Sequence, residues 1–337
     1  MKKIYFCIPL ILLVFVFISS KSYSQTELRY NDKVRINEAL KISEFVSDNI
    51  WKDWSKTPFI ILLIGDSTEY LINHPNPSPD FSESYSDNFL NAKVYSRKRV
   101  FQKGFLATFP AVNGASCVVA GIPENTGKDN LDWVITLLHE HFHQYQNNYP
   151  GYFEGVDKLD LKNGDESGMW MLNYEFPYEN KEVIAAFNDM KSKLNKAFLN
   201  NRLKKFTSSV SAYLKAKNKF KNLLSEKDFR YFDFQLWQEG IARYTEYKTL
   251  SYLVKNKYKF TDEFISITDK LNAGEQYKKI IVNLIKEFEG TQLENNKRVS
   301  FYSFGAMEGF VLDTYNKEWR NNYFKNMFST TKLFKKK

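Results

Sequence analysis

Apolar residues recur along this chain with two different periods, and the change falls near residue 125. Before it they come in short blocks. Phe59–Ile64 is an aliphatic run ended by Gly65-Asp66, while Gly104–Phe109 and Ser116–Gly121 are bounded by Pro and Gly. Blocks of that length with turn residues at their ends predict strands. Asn37–Trp54 has a helical period, and Pro75–Asn91, rich in Pro, Ser, Asp and Asn, predicts an exposed loop. From about Asp129 the apolar residues recur every three or four positions. Val183, Phe187, Met190, Leu194 and Phe198 make one stripe, which Leu203, Phe206, Val210 and Leu214 continue. Further helices are predicted over Asp233–Lys255, Thr261–Leu271, Tyr277–Phe288 and Ser303–Asn316. Core packing explains these stripes without a cofactor. The predicted fold is α+β, with a small N-terminal mixed sheet in residues 25–125 and a mainly helical part in residues 126–337.

Residues 1–24 stand outside that pattern. Lys2 and Lys3 precede an apolar run from Ile4 to Ile18, and Ser19-Ser20-Lys21-Ser22-Tyr23-Ser24 follows. This is the make-up of a secretory signal peptide, with cleavage expected near Ser24–Gln25 and a periplasmic, cell-surface or secreted product. The run is short for a membrane span, and no later one is long enough. Its loss removes three lysines and no acids, so the net charge of +9 becomes 9 − 3 = +6. That surplus is spread over Lys-rich helices and the tail Lys335-Lys336-Lys337, which implies solubility and loose attraction to acidic surfaces rather than a nucleic-acid groove. Of the two cysteines only Cys117 would remain, so no internal disulfide is expected. Stability must then come from a large core, which 17% aromatic residues can supply. Cys117, within Ala115–Ala120, reads as a small buried apolar residue.

One predicted helix carries more than packing. Trp133–Tyr145 is free of Pro and Gly and contains His139-Glu140-His141-Phe142-His143, an H-E-x-x-H pattern. Residues four apart on a helix share a face, so His139 and His143 can hold one Zn²⁺ between them. Glu140 lies about 100° round the helix from His139 and can reach a water on that metal. Val134, Ile135, Leu138 and Phe142 predict burial, which limits bulk water at the site. Asp129 or Asn130 is placed to cap this helix. The fourth histidine, His74, sits in the turn-rich Asn73–Pro77 and reads as a surface-loop residue.

A catalytic zinc takes three protein ligands and keeps a position open for water. With no other convincing histidine, a carboxylate must complete the set. Glu239, within Leu236–Tyr247, adjoins Gly240 and Ala242, small residues that let another helix or a metal approach closely. Glu246, seven positions on and on the same face, is placed to hold a histidine ligand or Arg243 from behind. On the residues alone, Glu175 and Asp165 also stay open as the third ligand.

These segments resemble the glutamate-zincins, metallopeptidases that include thermolysin and the zinc aminopeptidases. Trp237-Gln238-Glu239-Gly240-Ile241-Ala242-Arg243-Tyr244 is similar to the second helix of that class, whose glutamate is the third zinc ligand. The resemblance implies His139, His143 and Glu239 as the zinc ligands, with Glu140 as general base and proton shuttle. Aminopeptidase-type members also carry Tyr-x-x-Gly downstream. Tyr302-Ser303-Phe304-Gly305 looks like it, which implies the Tyr302 hydroxyl as an oxyanion donor. The likeness covers only short segments and has departures. Between His143 and Glu239 lie 95 residues, far more than in the aminopeptidases, so a helical insertion at about 150–230 is expected. Its Gly168–Tyr178 segment would wall the pocket or fill the core. The lysine usual before the Tyr-x-x-Gly glycine is missing. Gly305-Ala306-Met307-Glu308-Gly309 looks like the aminopeptidases' substrate-amine motif but falls after the zinc helices instead of before them, so exopeptidase activity does not follow.

The expected function is that of an exported zinc-dependent metallopeptidase, with one Zn²⁺ per chain and a peptide or protein substrate. Substrates of this fold class extend along an edge strand beside the motif helix, and Ser116–Ala120 is the strand expected there. Two other readings are a non-catalytic exported binding protein on the same scaffold and a zinc hydrolase of non-peptide amides, such as those of cell-wall material.

Overall fold

Ile61–Ile64 (β1) lies inside a six-stranded sheet with Thr68–Ile72 (β2), Glu83–Asp87 (β3), Ala92–Lys98 (β4), Leu106–Val112 (β5) and Ala115–Gly121 (β6). The computed structural model describes residues 27–81, 83–268 and 273–335, so the leader expected in residues 1–24 lies outside the described residues. Strand order across the sheet is β3-β4-β2-β1-β6-β5. β1 and β6 run parallel, and the other neighbours are antiparallel, which makes the sheet mixed. The fold is α+β, as the two periods predict.

The continuous apolar run of β1 has a simple cause. Ile61 and Leu63 face the main core, while Ile60, Leu62 and Ile64 face a smaller cluster on the other side with Leu71, Phe81, Cys117 and Val119. A strand covered on both faces reads as uniformly apolar. Cys117 is fully buried there, and burial pushes its thiol up to about 11, as befits a packing residue.

Three strands escape the sequence reading. β3 falls inside the predicted loop, and ESYSD and AKVYSRK, the sequences of β3 and β4, hold few apolar residues because these strands lie toward the sheet's exposed side; β2 is buried, but its apolar run, Tyr70–Ile72, is too short to stand out. Two further expectations are corrected. Ser116–Ala120 is not an edge strand, because β6 is hydrogen-bonded on both sides; β5 forms that edge. His74 is buried. Its Nδ1 accepts from the Asn76 amide at 3.1 Å, so its Nε2–H donates to the Val112 carbonyl at 3.1 Å, pinning the turn beneath the β5–β6 hairpin.

The longer helices are Tyr30–Ile50 (α1), Asn130–Asn147 (α2), Lys181–Leu199 (α3), Phe206–Asn222 (α4), Glu226–Gln235 (α5), Ile241–Lys255 (α6), Ala273–Gly290 (α7) and Ser300–Tyr315 (α8). A π-helical turn, Leu236–Gly240, joins α5 to α6. One core cluster runs from Leu28 to Phe334, through sheet and helices alike. None of the described helices is long and apolar enough to cross a membrane.

The motif helix α2 is fixed to the sheet along its length. The Asp129 side chain caps it by accepting from the Asp132 amide at 2.8 Å. The Trp133 indole donates to the Gly121 carbonyl at 2.8 Å. The Gln144 amide donates to the carbonyls of Ile60 and Ser116 at 2.9 and 2.8 Å, bridging β1 and β6. α8 crosses the π turn so closely that a Cβ on Gly240 would lie 2.5 Å from the Gly305 Cα. Gly309 likewise sits against the Tyr244 ring. The Gly305–Gly309 segment is therefore a close-packing face, and its Glu308 points to a buried network, bonding the Lys217 ammonium at 2.7 Å and the Tyr213 hydroxyl. Lys217 also reaches Asp233 at 3.4 Å and Thr330 at 3.1 Å.

Candidate metal centre

The α2 helix presents His139 and His143 one turn apart, with their rings 4.8 Å between centroids. His141, between them, points the other way. Its ring stacks on Phe59 at 4.0 Å and on Trp54, and burial pushes it down to about 4, a neutral core histidine. The opposing wall comes from the π turn and α6. Widening the helix there puts Glu239 at the end of the turn, and Glu246 follows on the same side. π turns of this kind recur at functional sites because they re-aim a side chain without ending the helix.

Three ligand atoms converge. The two Nε2 atoms of His139 and His143 are 3.1 Å apart, and Glu239 Oε2 lies 3.7 and 3.3 Å from them respectively. These residues form a group that could hold a metal ion. Tetrahedral zinc with bonds of about 2.0–2.1 Å separates its ligand atoms by about 3.3 Å, so the spacing fits. Tautomers fit as well. His143 Nδ1 faces Gln146 Oε1 at 2.6 Å and His139 Nδ1 faces Glu246 Oε1 at 2.5 Å, so each Nδ1 carries the proton and each Nε2 turns toward the gap. Two imidazole nitrogens and a carboxylate gathered this closely are a donor set that suits a divalent cation.

Charge supports the same reading. Burial disfavours protonated His139, but the carboxylates of Glu246, Glu239 and Glu140 outweigh it and raise the imidazole to about 10. Burial would likewise raise both glutamates. Instead His143 and His139 hold Glu239 well below the carboxylate range, and Arg243 and His139 bring Glu246 down to about 2. Arg243 Nη1 meets Glu246 Oε2 at 2.9 Å, so Glu246 supports both the histidine and the arginine expected of it.

The other sequence candidates sort by position. Glu140 is buried beside the histidines, and its Oε2 accepts from the Thr108 hydroxyl at 2.8 Å. Tyr302, on α8, lies over His139 with rings 7° from parallel and 6.5 Å between centroids. Burial and the Glu239 charge keep its phenol well above the ordinary range, with Arg298 opposing them. Asp165 instead caps the turn before Trp170, accepting from the amides of Ser167 and Trp170, and Glu175 is exposed. Neither belongs to the cluster. In the Gly168–Tyr178 segment Trp170 and Phe176 join the main core and Tyr174 stacks on Tyr231 at 4.2 Å.

Four neighbours of the cluster escape the sequence reading. Thr108 comes from β5, 32 residues before Glu140. Gln146 binds His143 and donates to the Gln238 carbonyl at 3.1 Å, tying α2 to the π turn. Gln238 Nε2 lies 3.2 Å from His143 Nδ1. Arg298 Nη1 donates to the Tyr302 hydroxyl at 2.6 Å and lies 3.4 Å from Glu239 Oε1. Only the i,i+3 spacing of His143 and Gln146 and the i,i+4 spacing of Arg298 and Tyr302 hint at these pairs beforehand.

No protein-family model, no curated protein and no solved structure matches this chain, so the reading of the site rests on its own residues.

Proposed function

We propose that this protein is a zinc-dependent metallopeptidase of glutamate-zincin type, acting on peptides or proteins after export. The observation that carries the reading is the convergence of His139 Nε2, His143 Nε2 and Glu239 Oε2 at tetrahedral spacing with Glu140 alongside. When bound, zinc polarises a carbonyl and brings the acidity of water toward neutrality.

The protein groups divide the remaining work. Thr108 donates to Glu140 Oε2 and so fixes the carboxylate, leaving Oε1 to take a proton from the attacking water. Glu140 then returns that proton to the leaving nitrogen. Tyr302 offers its hydroxyl to the oxygen on which charge develops, and Arg298 steadies that phenol. Glu246 and Gln146 hold the two imidazoles by their Nδ1 protons. β5, an edge strand tied to α2 through Thr108, offers main-chain groups along which an extended peptide can lie.

The test is hydrolysis of a mixed peptide library by wild type and Glu140→Gln, beside a panel of cell-wall amides. Cleavage of peptides by wild type, abolished in a variant that still holds metal, is the expected result. Cleavage confined to the cell-wall panel would move the substrate to non-peptide amides. No hydrolysis by either protein, with metal bound, would favour a binding role.

A further inference from the structure

The positive surplus, expected to be spread over many helices and the tail, is instead concentrated in one stretch. Between Asp189 and Glu226 lie 36 residues with nine lysines, one arginine and no acid. They form most of the hairpin α3–α4, whose tip is Leu199-Asn200-Asn201-Arg202-Leu203-Lys204-Lys205. Leu203 departs from its predicted stripe: Leu199 is 64% and Leu203 56% exposed, whereas Phe206 and Val210 are buried. Lys196, Arg202, Lys204 and Lys205 are exposed around them, and none has a salt bridge among the described residues. Beside the tip Lys193, Lys196 and Lys205 line an open notch of about 170 Å³ with Ser208, Ser209 and Ala212. Both serine hydroxyls donate to the Lys205 carbonyl, which leaves the lysine ammonium groups as the notch's donors.

We infer that the hairpin tip docks on an anionic phospholipid surface. Two leucines at a turn, ringed by four cations, match the two layers of a lipid interface. The apolar side chains enter the boundary with the acyl chains, and the cations meet headgroup phosphates. A polyanion in solution would use the lysines but gain nothing from Leu199 and Leu203. The tip is remote from the metal centre. Phe206 packs on Tyr315 at the far end of α8, thirteen residues or about 20 Å of helix from Tyr302. Docking there does not involve α2, the π turn or α6, which carry the candidate ligands and Glu246.

Sedimentation with vesicles tests this, using the chain from Gln25 onward, which holds every described residue and lacks the apolar leader. Wild type should pellet with phosphatidylcholine vesicles containing about 30% phosphatidylglycerol, not with pure phosphatidylcholine, and binding should weaken as salt rises. Leu199→Ser with Leu203→Ser should lower the partition coefficient at least tenfold. Replacing Lys196, Arg202, Lys204 and Lys205 by Ala should lower it at least as much, since each cation near such a surface contributes about fivefold. Unchanged thermal unfolding would show that the variants fold. Equal binding to both vesicle types, binding that ignores the leucines, or retention on single-stranded DNA alone would overturn the inference.

Discussion

Two of the buried charged clusters among the described residues are balanced differently. In one, Lys217 from α4 places its ammonium between Glu308 and Asp233, so the carboxylates have a cation of their own. In the other, Glu239, Glu246 and Glu140 surround two imidazoles whose Nε2 atoms face each other at 3.1 Å. Arg243 and Arg298 answer part of that charge from outside, but neither enters the gap between the nitrogens. A buried carboxylate is stable only beside a positive partner. The first cluster is closed by a side chain and has a structural role. The second has its histidines as partners, and its two imidazoles and Glu239 form a group that could hold a metal ion, the basis of the role proposed for it.

The comparison can be tested from both sides. The largest effect is expected on catalysis: Glu140→Gln should cut hydrolysis by roughly 10²–10⁴ while leaving metal content and unfolding temperature unchanged, measured by steady-state kinetics beside elemental analysis. Lys217→Met should destabilise the fold by about 3–5 kcal/mol in denaturant titration, because it strands Glu308 and Asp233, both buried, without a cation. Its folded fraction should bind metal as wild type does, and a matching loss of metal would break the separation of the two clusters.

A smaller effect is expected at the support of His139. Glu246→Gln should weaken zinc binding by about 10–100-fold in a competition titration, since it removes the carboxylate that holds the Nδ1 proton. The gentlest probe is pH. His139 is raised from 6.5 to about 10 in the folded, metal-free protein, so its proton stabilises that form fully below pH 6.5 and progressively less up to about pH 10. Metal must displace this proton. Zinc affinity should therefore climb by up to about tenfold per pH unit across that window. Affinity independent of pH would contradict the assignment of His139 as a ligand.

The elements of the site were unequally legible in the sequence. His139, Glu140 and His143 are legible because an i,i+4 relation is local, and helix geometry alone brings them to one side. Glu239 and Glu246 are readable through Gly240, whose lack of a side chain announces a close helix crossing, here with Gly305. Thr108 and Arg298 are not, since their place depends on how β5 and α8 are packed across long sequence separations. Fold follows the same line. β1 and β6 stand out because both their faces are covered, whereas β3 and β4 carry the polar residues of a more exposed edge and leave no apolar block, and buried β2 offers only the three residues Tyr70–Ile72. His74 misled for a related reason: turn composition reports local backbone, and its burial comes from the hairpin packed over it.

The central claim is that the histidine cluster holds zinc through two helices. Metal content by elemental analysis of wild type beside Glu239→Ala tests it most directly. Near one zinc per chain in the wild type, falling sharply in the variant, is the result this account requires. Zinc at the same level in both proteins would remove Glu239 from the ligand set, and no zinc in either after reconstitution would contradict the metal centre itself.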